Sequence, residues 1–413
     1  MSASRRITDH LWIIAGLAGF AMASYMARSN ISVASESMLP ALGLTKVQMG
    51  QVFSAFLIGY ALFQVAGGVI GDRFGARLTL GISALVWSIS TIATALLPSF
   101  LSSRPALMFA GLWVVRFVLG LSEATTFPVG STVVRNWMPP HRRGLGNSIM
   151  FLGTSAASAM TAPLVSWIIA RMGWQASFYI TAIPSLMLGL AWLLLARDHP
   201  AGVTKAGPDE PEGAALSMRE VGALLGRRNA LLLVFSYVSE GYVLFIFVFW
   251  LYVYLVERRG FPLMTAGWIA AIPWLTAIVL TPIGGYACDR IGRRRGRAAG
   301  SRAVIAIGYT ASGALLYLAA AAGERWISVA ALCFSIAALM AAEAGFWSYA
   351  AHLGREHVGL LSGVMNTAGI LGGVVSTSLV PVIVRQFGWL PALASGTVMA
   401  LLCTGTWFFI REA

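Results

Sequence analysis

Apolar residues fall into long runs that are separated by short polar loops along the whole chain. A hydrocarbon core of about 30 Å needs about 20 apolar residues for each helical crossing, and about twelve runs reach that length. These runs cover approximately 11–34, 48–71, 78–98, 106–134, 142–170, 174–196, 230–256, 262–288, 300–322, 326–350, 357–384 and 388–410. Their spacing favours helices over barrel strands, which alternate over about ten residues. The pattern predicts an all-α integral membrane protein with twelve transmembrane helices.

One polar stretch interrupts this rhythm near the middle of the chain. It contains Pro208-Asp209-Glu210-Pro211 and several glycines, a composition that is typical of linkers. Six apolar runs precede it and six follow it. We therefore predict an N-terminal six-helix bundle over 1–197, a cytoplasmic linker over 198–228 and a C-terminal six-helix bundle over 229–413.

Composition supports a membrane protein and excludes several other classes. Hydrophobic residues make up 58% of the chain and charged residues 11%, against roughly 25% charged residues in soluble domains. A soluble fold and a disordered chain are both excluded by these values. Cys288, Cys333 and Cys403 lie in apolar runs without metal spacing, and the chain has no P-loop and no catalytic constellation. We expect no disulfide, no metal, no cofactor and no enzymatic activity.

The formal net charge of +13 comes mainly from arginines in alternate loops. Positively charged loops stay in the cytoplasm, so this asymmetry predicts cytoplasmic termini rather than nucleic-acid binding. We expect a monomeric multi-pass protein of the bacterial inner membrane, with an uncleaved first helix. The arginine-rich side contains Arg5, Arg6, Arg73, Arg77, Arg135, Arg142, Arg143, Arg227, Arg228, Arg290, Arg293, Arg294, Arg295, Arg297 and Arg355.

A ten-residue pattern recurs at equivalent places in the two halves. Its copies are Gly68-Val-Ile-Gly-Asp72-Arg73-Phe-Gly75-Ala-Arg77 and Gly285-Tyr-Ala-Cys-Asp289-Arg290-Ile-Gly292-Arg293-Arg294. Internal repeats are typical of secondary transporters. The glycines permit a tight turn and close helix approach, and the aspartates can pair with arginine or a helix N-terminus. The pattern resembles the loop signature of the major facilitator superfamily, which implies a switch that stabilises the outward-open state.

Five ionisable residues stand out inside the predicted spans: Arg28, Arg116, Glu123, Glu240 and Glu343. Each costs about 2.5–3.5 kcal/mol at membrane depth, which makes each a candidate functional residue. Arg116 and Glu123 are seven residues apart and share one helix face, and two arginines suit a carboxylate ligand. Burial favours a protonated carboxyl and neighbouring arginines favour an ionised one, so proton and anion binding would be linked. A structural Arg–Glu pair is the alternative.

Longer segments resemble the anion:cation symporter branch of that superfamily, which includes sialin and bacterial galactonate and hexuronate permeases. They are Tyr25-x-x-Arg28-x-Asn30, Arg116-Phe-x-x-Gly120-x-x-Glu123-Ala-x-x-Phe127-Pro128, Asn136-Trp137-Met-Pro139-x-x-Arg142-Arg143, Phe346-Trp347 and Gly363-Val-Met-Asn366. The resemblance implies that Arg28 and Arg116 bind the anion and that Glu123 carries the coupling proton. It also implies that Tyr60, Trp347 and Asn366 face the substrate.

Two positions depart from the pattern of the galactonate-type permeases. Ala27 replaces a second acidic residue, which favours coupling through a single carboxylate. Thr154 replaces a polar amide, so Thr154 is a weaker substrate-binding candidate. Ordinary packing is the alternative for Tyr60, Trp347 and Thr154.

The sequence thus favours a secondary transporter that moves a small organic anion with protons by alternating access. A proton-coupled exporter of amphipathic drugs and a membrane sensor built on a transporter fold are the alternatives. Two buried arginines argue against cationic drugs. Glu240 and Glu343 are secondary site candidates. For Glu343 the alternatives are contact with a cation, tuning of selectivity and pairing with a neighbouring side chain.

Overall fold

The structure is a computed structural model that describes residues 3–101, 104–139, 143–200, 222, 226–354 and 358–410. Arg142, Arg355 and most of the predicted linker lie outside the described residues. The described part contains fourteen helices and forms two compact units, Met1–Glu212 and Gly213–Ala413.

The N-terminal unit contains seven helices. They are α1 Ala3–Leu42, α2 Lys46–Phe74, α3 Ala76–Leu101, α4 Pro105–Glu123, α5 Thr126–Trp137, α6 Arg143–Met172 and α7 Trp174–Leu195. The first turn of α2 is fixed by a capping box, in which Thr45 Oγ1 accepts from the Gln48 N–H and Gln48 Oε1 accepts from the Thr45 N–H. Helix α1 packs against α6, α2 against α4, and α3 against α7.

The C-terminal unit also contains seven helices. They are α8 Arg228–Phe249, α9 Leu251–Glu257, α10 Leu263–Arg295, α11 Arg297–Ala321, α12 Arg325–Gly354, α13 Val358–Phe387 and α14 Trp389–Phe408. Helix α8 packs against α13, α10 against α12, and α11 against α14. These pairs are the counterparts, span by span, of the three pairs in the N-terminal unit. The internal repeat in the sequence therefore corresponds to a repeated packing scheme.

Most helices have the dimensions of membrane spans. Within the described residues, ten helical spans are long and apolar enough to cross a membrane, and the bent helix α2 raises the number to eleven. Helix α1 covers the first predicted run. The positions agree with the twelve runs of the sequence, with two local differences.

Two predicted spans are broken helices. The fourth consists of α4 and α5, which are separated at Ala124 and Thr125. Pro128 explains this break, because proline has no N–H for the carbonyl of Ala124 and its ring clashes with that carbonyl. Glu123 consequently occupies the last position of α4. The seventh span is divided at Trp250 into α8 and α9, and nothing in the local sequence explains that division.

The two copies of the loop motif adopt different turns. Gly75 ends α2 with a φ of 84°, a conformation that favours glycine. In the second copy α10 continues through Gly292, and the turn lies at Gly296, with a φ of 93°. Helices α10 and α11 pack closely here because Gly300 of α11 has no side chain: a Cβ on Gly300 would lie 2.9 Å from the Gly292 Cα.

The charged residues of the two copies also have different partners. Thr132 Oγ1 donates to Asp72 Oδ1 over 3.5 Å, whereas Asp289 pairs with Arg297 at 3.4 Å. Arg77 donates from its side chain to the Leu193 carbonyl at the end of α7. The motif therefore joins α2 to α5 and α3 to α7 in the first unit, and α10 to α11 in the second.

Candidate functional site

Three of the ionisable residues within the predicted spans meet in the N-terminal unit. Arg28 of α1 donates from Nη2 to Glu123 Oε2 of α4 over 3.3 Å. Arg116, two turns before Glu123 on α4, donates to the carbonyl oxygens of Ala27 at 3.2 Å and Arg28 at 3.0 Å. Arg116 and Glu123 are fully buried, and Arg28 is 6% exposed. We name these three residues the arginine cluster.

Aromatic rings surround the Arg28 guanidinium. Its Cζ lies 4.5 Å from the ring centre of Tyr25 and 4.8 Å from those of Phe56 and Tyr60. Phe56 also lies 5.4 Å from the Arg116 Cζ. Ring faces attract cations, and the attraction strengthens where water is excluded. The rings therefore stabilise both arginines in their charged form and hold Arg28 in one orientation.

Small residues bring the helices of the cluster together. A Cβ on Gly120 of α4 would lie 1.9 Å from the Phe56 carbonyl oxygen, and one on Gly59 of α2 would lie 2.2 Å from the Phe117 carbonyl oxygen. Neither position tolerates a side chain without movement of the backbone. The two glycines thus allow α2 to place Phe56 and Tyr60 directly against the charged residues of α4.

A buried polar contact fixes the orientation of α1. Asn30 Nδ2 donates to Thr181 Oγ1 over 2.9 Å, and Ser177 Oγ donates to Asn30 Oδ1 over 3.0 Å. Asn30 lies two residues after Arg28, so this contact with α7 restricts rotation of the helix that presents Arg28.

The arginine cluster carries unequal charge and incomplete hydrogen bonding. Two guanidinium groups face one carboxylate, which leaves one excess positive charge in a buried place. Arg28 Nε, Arg116 Nε and Glu123 Oε1 are buried and have no hydrogen-bond partner within the described ranges. Buried charges and polar groups are costly unless they are paired. An anion with oxygen acceptors would supply the missing negative charge and the acceptors that the two arginine Nε–H groups lack.

The other predicted site residues lie elsewhere. Thr154 of α6 is buried and donates to the Phe151 carbonyl in its own helix over 2.7 Å. Trp347 and Asn366 belong to the C-terminal unit, on α12 and α13. Glu343 is also on α12, and its Oε1 accepts from Trp347 Nε1 over 2.6 Å. The structure therefore brings Tyr60 to the arginine cluster and places Trp347 beside Glu343.

Sequence reasoning missed Phe56 as a site residue and gave Tyr25 no role. Phe56 precedes Tyr60 by four residues, so both rings lie on one face of α2. That spacing was the available signal, but Phe56 is one apolar residue in a long apolar run. Tyr25 precedes Arg28 by three residues and follows the same rule on α1.

Two helical bundles of matching packing, with a buried charge cluster in a membrane-spanning segment, define a membrane transporter. The sequence model of the Major Facilitator Superfamily matches residues 17–377, and the chain belongs to this superfamily. This membership confirms the all-α, twelve-helix fold class and the multi-pass membrane location. It also confirms that the protein is a transporter and not an enzyme.

Named relatives cover almost the whole chain. The hexuronate transporter of Bacillus subtilis is 28% identical over 92% of this chain and 89% of its own length. A probable sulfoacetate transporter of Cupriavidus necator is 29% identical over 92% of this chain and 88% of its own. A solved bacterial homologue of the human lysosomal transporter Spinster superposes with a TM-score of 0.81 at 15% identity, over 99% of this chain and 98% of its own. The relatives confirm the predicted anion:cation symporter branch.

Proposed function

We propose that the protein is a secondary transporter that carries a small organic anion together with protons by alternating access. The excess positive charge of the arginine cluster is the observation that carries this proposal. The names of the two relatives support it, since hexuronate and sulfoacetate are both small organic acids. Carboxylates and sulfonates share the feature that matters here, a compact anionic group with several oxygen acceptors.

Arg28 is the group that contacts the anion in this proposal. It is the one member of the arginine cluster with exposed surface, and one of its nitrogens has no partner within the described segments. A guanidinium can bind a carboxylate through two parallel hydrogen bonds. The anion therefore competes with Glu123 for Arg28 Nη2.

Arg116 acts on the anion mainly through its charge and through α1. Both of its terminal nitrogens already donate to carbonyls of α1. These two hydrogen bonds hold the backbone of α1 at Arg28 in a fixed position against α4. It also keeps a second positive charge near the anion without requiring direct contact.

Glu123 couples the proton to the anion. An ionised Glu123 engages Arg28, and a protonated Glu123 releases that nitrogen and removes a negative charge. Proton binding therefore raises the affinity for the anion, and anion binding raises the affinity for the proton by the same factor.

The remaining assignments extend the same proposal. Tyr60 orients the anion beside Arg28, and Trp347 and Asn366 line the substrate path in the C-terminal half. The bundles 1–197 and 229–413, joined by the linker 198–228, are the proposed moving parts. The arginine-rich loops support a bacterial inner-membrane location with both termini in the cytoplasm.

The test is uptake by proteoliposomes that contain the purified protein, with labelled D-glucuronate and sulfoacetate as probes. An inward proton gradient should drive accumulation of at least one probe by the wild type. Glu123→Gln should abolish gradient-driven accumulation and retain exchange of labelled for unlabelled anion. Arg28→Lys should reduce binding, because lysine lacks the planar fork of arginine.

Glu324→Gln is the matched control, since it removes a carboxyl from an exposed loop of the C-terminal unit. It should transport like the wild type. Accumulation by Glu123→Gln that still follows the proton gradient would refute the assigned coupling residue. No flux of either acid in the wild type counts against the proposed substrate class.

A further inference from the structure

A second group of buried ionisable side chains lies in the C-terminal unit. Glu240 of α8 is 2% exposed, and Glu343 of α12 is partly buried. Tyr237 lies one turn before Glu240, and Tyr309 of α11 interacts electrostatically with both glutamates. We name Glu240, Glu343, Tyr237 and Tyr309 the acidic cluster. The arginine cluster and the proposed transport mechanism use none of these residues.

Hydrogen bonds are distributed unequally within the acidic cluster. Glu343 Oε1 accepts from Tyr237 Oη over 2.5 Å and from Trp347 Nε1 over 2.6 Å. Glu343 Oε2, Glu240 Oε1 and the Tyr309 hydroxyl are buried, and the described part of the chain gives them no hydrogen-bond partner. Two donors stabilise a charge on Glu343, whereas Glu240 has no such support for a charge.

The residues that face the glutamates bring no positive charge. The interacting ionisable groups are Tyr237, Tyr309 and Cys403, which belong to α8, α11 and α14. Helix α13 contributes Gly369, where an added Cβ would lie 3.4 Å from Glu240 Oε2. Among the described residues neither glutamate forms an ion pair. The ion pair found in this unit joins Asp289 and Arg297 instead.

Two uncompensated negative charges in this place would be strongly unfavourable. Burial of one unpaired charge already costs several kcal/mol, and a second like charge adds repulsion. Neighbouring carboxyl groups solve this problem by sharing a proton, and the pair then titrates as one unit. The unequal donors decide the position of that proton: it stays on Glu240, and Glu343 carries the charge.

We propose that Glu240 and Glu343 form a proton-binding site in the C-terminal unit, separate from Glu123. The site holds one exchangeable proton on the Glu240 carboxyl. Trp347, which is 38% exposed and bonded to Glu343, marks the edge through which a proton reaches the pair.

A second proton changes the driving force of transport, and this consequence rests on the proposed function. One proton carried with a monovalent anion gives an electroneutral step, whereas two protons move one net positive charge. A membrane potential of 100 mV then multiplies the accumulation ratio about 50-fold, the equivalent of about 2.3 kcal/mol for one charge. The acidic cluster would thus allow the membrane potential to drive uptake.

Infrared difference spectroscopy on the purified full-length protein tests the site without any substrate. The difference between spectra recorded at acidic and at alkaline pH should contain the carbonyl band of a buried protonated carboxyl group. Glu240→Gln should remove this band, and Tyr237→Phe and Glu343→Gln should shift it. The exposed-loop variant Glu324→Gln should leave it unchanged.

Two results would overturn the proposal. One is a spectrum in which Glu240→Gln, Glu343→Gln and Tyr237→Phe all leave every buried carboxyl band unaltered. The other is loss of the band when choline chloride is replaced by sodium chloride, which indicates a metal-cation site instead. If Glu240→Gln fails to fold, the other two variants carry the test.

A failure of the proposed function gives a different result. The acidic-cluster band should persist in Glu123→Gln, whatever that variant does in transport. Absent anion flux in the wild type would reject the transport proposal and leave the infrared result intact.

Discussion

A single added methyl group at Gly120 is expected to disrupt the arginine cluster without changing any charged residue. The Cβ of Gly120→Ala would lie 1.9 Å from the Phe56 carbonyl oxygen, whereas real Cβ contacts essentially never fall below 3.0 Å. The difference requires α2 and α4 to separate by about 1.1 Å at this point. Because the obstacle is backbone, a change of rotamer cannot relieve it. Glu123 lies one turn further along α4, so the displacement changes its position relative to Arg28.

The magnitude follows from the cost of overpacking, about 1–3 kcal/mol. If the cost falls on the bound state, the affinity for the transported acid drops roughly 5- to 150-fold. The assay is the concentration dependence of uptake in proteoliposomes, with thermal unfolding of the same preparation. Gly111→Ala on the same helix is the control, because its Cβ would lie 3.1 Å from the flexible end of Leu97. Wild-type KM and Tm in Gly120→Ala would refute the reasoning.

Three further variants probe individual contacts. Tyr60→Leu removes the ring whose centre lies 4.8 Å from the Arg28 Cζ. It should weaken anion binding by about 0.5–2 kcal/mol, whereas Tyr60→Phe keeps a ring and should weaken binding less. Equal KM values for the two variants would contradict this role of the ring. Asn30→Ala removes two buried hydrogen bonds to α7. At about 0.5–1.5 kcal/mol each, their loss should destabilise the protein by about 1–3 kcal/mol in thermal unfolding; an unchanged Tm excludes the role in fixing α1. Hydrogen bonds from the backbone N–H groups of Trp326 and Ile327 lower the pKa of the Glu324 carboxyl. The ionised carboxylate therefore stabilises the folded protein above the unfolded-state pKa, and this stabilisation is lost as the pH falls through the lower folded-state value. The decline of Tm on acidification should therefore be shallower in Glu324→Gln. Identical profiles would count against a stabilising contact between the Glu324 carboxylate and the Ile327 N–H at the start of α12, where the two atoms lie 2.8 Å apart.

The elements were predictable because apolar run length nearly determines a membrane helix. The break after Glu123 was not predicted, although Pro128 provides its cause, since the surrounding apolar run is uninterrupted. The turn at Gly296 was missed for a different reason. Gly292 fits the repeated pattern but lies inside α10, where it contacts Gly300 of α11, and the pattern alone does not specify that contact.

The charged members of the site were visible as costly exceptions within apolar runs, and their surroundings were not. The hydrogen bonds from Arg116 to the Ala27 and Arg28 carbonyls depend on the distance between α1 and α4. The spacing of residues along one helix does not predict that distance. The sequence likewise indicated only part of the acidic cluster. Glu240 and Glu343 stood out, but Tyr237 and Tyr309 were ordinary aromatic residues until their helices were placed together.

The surplus arginine also bears on what an idle carrier does. With Glu123 protonated and no anion bound, Arg28 and Arg116 leave two positive charges buried without a counterion. This species is the most expensive of the possible loading states, because each uncompensated charge resists transfer through the apolar barrier. In the proposed mechanism, a carrier that holds protons alone is therefore the least able to reorient. The two arginines that are proposed to bind the anion would then also protect the energised membrane from futile proton leakage.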